Sequence, residues 1–191
     1  MSKLRSLALF AGLALTGTLF ACADTSRVVV PQQEVGAPSL ELIAPAAVVP
    51  ALTRTVPLAG TIVVTATIGA EGGTISVPEA GFRMTVPKGT VRRNTTFTVK
   101  ALAGSMVAYE FFPEGKWQTK IEMEQDLRVT SWSTLPTAPL LKAGYFRSTS
   151  DLNFSTNEAT VSELLPVQLD TILRWVRWRV DHFSGYMVAM G

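Results

Sequence analysis

"GFRMTVPKGT", residues 81–90, decides the fold. Phe82, Met84 and Val86 fall on one side of an extended chain, Arg83 and Thr85 on the other, and Pro87 and Gly89 close the run in a turn. Successive side chains on a strand point to opposite faces, so the stretch reads as a strand with one face buried. "TTFTVKALA", residues 95–103, repeats the pattern, with Phe97, Val99 and Ala101 inward and Thr96, Thr98 and Lys100 outward. "GTIVVTATIG" (60–69) and "GGTISVP" (72–78) precede these runs, and "MVAYEFFPEG" (106–115), "KIEMEQDLRV" (120–129) and "KAGYFRS" (142–148) follow. Period-two alternation with Gly and Pro at short intervals predicts an all-β, antiparallel sandwich or barrel over residues 58–191.

One stretch, 158–173, reads two ways. Val161, Leu164, Leu165, Leu169, Ile172, Leu173 and Val176 have helical spacing, and Thr160 with Glu163 fits a capping box. Pro166 interrupts that pattern by removing a backbone donor. The reading is a turn or short helical piece near 161–166, followed by a strand through "RWVRWRV" (174–180), with Val176, Trp178 and Val180 on one face.

The N-terminus has another character. Lys3 and Arg5 precede "LALFAGLALTGTLFA" (7–21), an uncharged run short of the ~20 apolar residues of a bilayer span. It ends in "LFAC" (19–22), which resembles a bacterial lipobox with Phe20 at an unusual place. Residues 1–21 then read as a lipoprotein signal peptide and Cys22 as the lipidated residue. Acyl chains stabilise membrane attachment by ~0.8 kcal/mol per buried methylene. Plain secretion with a cut after Ala23 is the alternative. Prolines 31, 38, 45 and 50 mark residues 22–57 as a flexible Pro/Ala-rich tether.

The chain has 191 residues, 47% hydrophobic and 17% charged, which suffices for a buried core. Cys22 is the only cysteine, so no disulfide forms within one chain. Losing residues 1–21 would remove Lys3 and Arg5 and leave basic and acidic residues equal in number, which argues against a nucleic-acid partner.

"GGTISVPEAGFRMTVPKGTV" (72–91) resembles the opening of the ZU-five domain, the β-sandwich of zonula occludens proteins and Unc-five netrin receptors. Gly72, Gly73, Pro87 and Gly89 carry that resemblance. "VAYEFFPEG" (107–115) resembles its aromatic strand and Pro-x-Gly turn, with Glu114 where a histidine is common, and "HFSGY" (182–186) resembles its closing landmark. The resemblance implies a structural and protein-binding module without a cofactor.

It also raises one reaction. His182, Phe183 and Ser184 match the HFS tripeptide at which some relatives cleave themselves. The Ser184 hydroxyl would attack the Phe183 carbonyl in an N→O acyl shift, His182 would act as base, and water would hydrolyse the ester. The cut would release only residues 184–191, so the favoured reading is a structural corner, with Gly185 permitting irregular backbone. Asp181 beside His182 invites a catalytic triad with Ser184, but adjacent strand residues point to opposite faces, and there is no G-x-S-x-G elbow.

A single histidine and an acylated cysteine argue against zinc. Glu122, Glu124 and Asp126 share a strand face and invite calcium, against a solvated edge face as the plainer reading. Arg177, Arg179 and Trp175 share the outward face of 174–180, where cross-strand partners are expected. Trp117 and Trp132 are expected to be exposed and would suit a glycan. These readings combine into a non-enzymatic bacterial envelope lipoprotein, anchored through Cys22, with Ala23 favouring the outer membrane and an unidentified protein as partner. Self-processing between Phe183 and Ser184, or glycan binding, are the alternatives.

Overall fold

The alternating runs are strands, and their inward residues meet. The computed structural model describes residues 46–134 and 140–191. The strands are β1 (Ala47–Pro50), β2 (Thr53–Leu58), β3 (Ile62–Ile68), β4 (Gly73–Val77), β5 (Phe82–Val86), β6 (Thr95–Ala101) and β7 (Gly104–Met106). After them come β8 (Ala108–Asp126), β9 (Leu141–Phe146), β10 (Leu152–Asn153), β11 (Glu158–Val161), β12 (Glu163–Leu165), β13 (Gln168–Asp170) and β14 (Trp175–Met190). The fold is all-β and sandwich-like, with antiparallel ladders.

Two long strands organise it. β8 and β14 pair from Trp175↔Asp126 to Met187↔Ala108. The first half of β8 pairs with β6 and the second half with β5. β14 pairs with β13 near its start and with β9 near its end. The ribbon therefore serves two half-sheets, β4-β5-β8-β14-β13 and β3-β6-β8-β14-β9-β12. Register shifts between Val180 and His182 and between Phe183 and Gly185 mark where it passes from one to the other. Bulges let a strand turn a corner between sheets.

The main core lies between the half-sheets. Phe82 of β5 stacks on Tyr109 of β8, with ring centroids 4.2 Å apart, and Phe97, Phe111, Met123, Trp178 and Tyr186 fill the surrounding volume. Each such side chain contributes about 1.5–3 kcal/mol by leaving water. A second core lies across β14, where Met187 and Ala189 join Met106, Phe146, Leu152, Ala159 and Val161 under the small sheet β1-β11-β10.

Two expectations are corrected. Of the residues assigned above to the tether, 47–50 form β1 and 53–57, with Leu58, form β2. Leu52 is fully buried, and its N–H donates to the Val188 carbonyl at 2.8 Å. Pro50 and Pro57 lie in strands with a single ladder neighbour, the place where a missing N–H is tolerated. Residues 158–173 contain no helix, and Thr160 and Glu163 belong to different strands rather than to a capping box. The apolar residues at helical spacing are spread over β11, β12, β13 and a turn: Val161 enters the second core, Leu165 packs on the main core, and Ile172 is 90% exposed.

Candidate functional site

Residues 181–184 occupy the corner of β14. The bulge after Val180 leaves Asp181 without a ladder partner and brings its carboxylate to the ring of its neighbour. Asp181 Oδ1 lies 3.0 Å from His182 Nδ1, and His182 Nε2 lies 2.9 Å from the Tyr186 hydroxyl. Adjacent side chains were expected on opposite faces, and the bulge is the reason they are not. A carboxylate only accepts, so in the neutral ring Nδ1–H donates to Asp181 and Nε2 accepts from Tyr186. Hydrogen bonding to His182 and, after it, the charges of His182 and Lys116 hold the Asp181 carboxyl below its ordinary value. Burial, then the nearby Glu163, Tyr145 and Asp181, push the Tyr186 hydroxyl far up. Tyr186 therefore stays protonated and acts as a donor.

Ser184 is engaged elsewhere. Its hydroxyl donates to the carbonyls of Arg147, at 3.1 Å, and Phe146, at 3.4 Å. Phe183 is buried against Phe97, Phe111 and Trp117. No hydrogen bond joins His182 to Ser184 among the described residues, so the imidazole reaches Tyr186 in place of the serine. Gly185 fits here for a reason other than backbone freedom, because its φ is outside the left-handed range. A Cβ on it would lie 2.0 Å from the buried Phe146 ring.

The acidic face of β8 is saturated by arginine. Glu124 receives Arg83 Nε on one oxygen and Arg177 Nε on the other, Arg179 pairs with Glu122 at 2.9 Å, and Arg128 with Asp126 at 2.6 Å. The expected edge position is corrected: β8 is interior to the sheet, and Glu124 is buried. Burial alone would raise the Glu124 carboxyl, but the Arg83 and Arg177 bonds outweigh it and hold it below its ordinary value. Among the described residues no three metal-ligating side chains gather, and these carboxylates already have cations. Arg83 rather than Arg177 lies over the Trp175 ring, 5.5 Å from its centroid.

The two indoles proposed as exposed are half-buried. Trp117 and Trp132 pack on the main core, and their Nε1 atoms are enclosed, which corrects the exposure expected of them. The glycines of 72–89 have a shared structural task. Gly72 and Gly89 both have φ of 79°, Gly89 N–H donates to Ala70 O at 2.8 Å, and a Cβ on Gly72 would strike Val86 O at 2.5 Å. The Gly-pair turn and the Pro-x-Gly turn thus nest against each other.

Arg54 lies in β2, within the stretch read above as tether. It is 4% exposed, and its Nη1 donates to the carbonyls of Leu102, Gly104 and Met106 while its guanidinium covers Tyr109 at 5.5 Å. Burial pushes the Tyr109 hydroxyl up to about 12 against the opposing pull of Arg54. Cys22 and Ala23 lie outside the described residues. Among the described residues no helix is long and apolar enough to cross a membrane. No protein-family model matches the chain, and no curated protein matches it.

Proposed function

We propose that this chain is a lipid-anchored bacterial envelope protein whose β-sandwich binds a protein partner without catalysis, in the manner of the ZU-five domains it resembles. The observation that carries the binding part is β3. Its sequence, IVVTATI, has no charge and no proline, and among the described residues β6 is its one ladder neighbour. Val63 is 57% exposed. Proteins normally protect such edges with lysine, proline or a bulge, because the free N–H and C=O groups pair with any extended chain. An unprotected edge of this length suits β-augmentation by a partner segment. The anchor rests on the "LFAC" motif ending at Cys22.

Two experiments test the reading. A photo-crosslinking residue at Val63 should capture one partner in intact cells, and Thr65→Pro should abolish the adduct; unchanged capture in the proline variant removes the edge as the docking site. Metabolic labelling with a fatty acid should mark the chain and fail with Cys22→Ser.

Self-processing at Phe183–Ser184 is the second reading, favoured by the HFS tripeptide at a bulged corner. The engagement of Ser184 with Arg147 and of His182 with Tyr186 supports it less. Intact mass decides: loss of the final eight residues, abolished by Ser184→Ala, would establish cleavage.

A further inference from the structure

The loop after the Pro-x-Gly turn, residues 90–94, the start of β6 and the outer stretch of β8 flank an open depression of about 450 Å³. Arg92, Arg93 and Lys116 line it, and no acidic side chain does. This departs from the neighbouring sheet face, where Arg83, Arg177 and Arg179 each meet a glutamate. None of the three cavity cations forms an ion pair among the described residues. Asp181, the carboxylate that feels Lys116, is hydrogen-bonded to His182 instead.

The other lining groups restrict the ligand. Thr90 Oγ1 donates to Pro87 O at 2.7 Å, and Thr95 Oγ1 donates to Arg93 O at 3.0 Å. In this arrangement each hydroxyl proton is directed at a backbone carbonyl, which leaves the oxygen lone pairs to accept. The cations are donors alone. Gln118 adds one amide that does both, and Trp117 gives the wall an apolar edge. Three cations call for an anion, and two hydroxyl oxygens placed to accept suit a ligand that also carries O–H groups. The volume lies within the range of small-ligand sites.

We propose that this cavity binds an anionic sugar, a hexose bearing a phosphate or carboxylate, free or as a unit of a longer chain. The guanidinium groups of Arg92 and Arg93 take the anion as paired donors, Lys116 adds charge, and the threonines accept from ring hydroxyls. The site is separate from the β3 edge and does not rest on protein binding there.

Calorimetric titration of the full chain in neutral detergent tests it, with glucose 1-phosphate, galacturonate, polygalacturonate, inorganic phosphate and glucose as probes. At least one sugar anion should bind at least tenfold more tightly than both inorganic phosphate and glucose. Tighter binding of polygalacturonate than of galacturonate identifies the chain-borne form, and equal binding the free one. The Arg92→Gln/Arg93→Gln variant and Lys116→Gln should each weaken binding at least tenfold with unchanged thermal midpoint. Lys88→Gln, which removes only the exposed pair with Glu71, should bind as before. Glucose binding as tightly as the anions overturns the proposal, as does full affinity in both cavity variants. Retention on phosphatidylglycerol vesicles without binding of any sugar anion overturns it in favour of a membrane surface.

Discussion

The two ends of β14 obey different rules within one strand. Along residues 175–180, Val176, Trp178 and Val180 are buried while Arg177 and Arg179 reach outward to glutamates. Along residues 186–190, Tyr186 and Val188 enter the main core and Met187 and Ala189 the second. The difference lies in what covers the outer face: water over the first half, and the β1-β11-β10 layer over the second. A strand with one wet face declares its register through polarity, whereas one buried on both faces reads only as an apolar run. The main core takes Val176, Trp178 and Val180 from the first half and Tyr186 and Val188 from the second, in the same phase, and Phe183, between the two register shifts, enters it out of step.

The largest test falls on the second half. Met187→Ala should cost about 2–5 kcal/mol, the usual range for emptying a core methionine site. Denaturant unfolding measures it. A loss under about 1 kcal/mol would mean that the small sheet does not hold Met187 as a core residue, and the comparison would fail. Gly185→Ala should follow at about 1–3 kcal/mol, because the new Cβ meets the fully buried ring of Phe146. Phe146→Leu in the same chain should recover part of that loss. Absence of recovery would separate the glycine from the contact assigned to it.

How far the sequence was legible follows the same division. Phe82, Met84 and Val86 declared β5 because Arg83 and Thr85 face outward beside them. "RWVRWRV" was equally plain. Residues 158–173 were not, because their apolar residues serve two cores and a solvent-exposed turn, and no single face repeats. The tether concealed β1 and β2 since prolines are tolerated on strands with one neighbour, and Arg54 was hidden with them. At the corner, the residue types were visible but the bulge was not. Alternation assigned Asp181 and His182 to opposite faces, while the break in the ladder at Asp181, opposite residues 117–120 of β8, lets them meet. The cavity cations, "RR" at 92–93 and Lys116, are distant in sequence and converge only through the loop packing beside β8.

Acid should separate the halves again. The folded Glu124 carboxyl lies below its ordinary value, so its contribution is complete above the unfolded value of about 4.3. That contribution is lost as pH falls further, through the folded value. Stability of the wild-type chain should therefore decline below about pH 4.3, and Glu124→Gln should flatten that decline while costing on the order of 1 kcal/mol at neutral pH. An unchanged acid slope in the variant would show that the arginine pair does not set it.

The smallest effect belongs to the wettest position. Arg179 pairs with Glu122, but its side chain is 62% exposed. Holding a long side chain in one geometry costs rotamer freedom, and water screens the attraction that remains. Arg179→Ala should cost under about 1 kcal/mol, and the difference from wild type should shrink as salt rises. Met187 and Arg179 lie in the same strand and differ chiefly in what covers them. If Arg179→Ala cost as much as Met187→Ala, charge pairing on the outer face would be holding the ribbon, and burial on both faces would not be what distinguishes its far end.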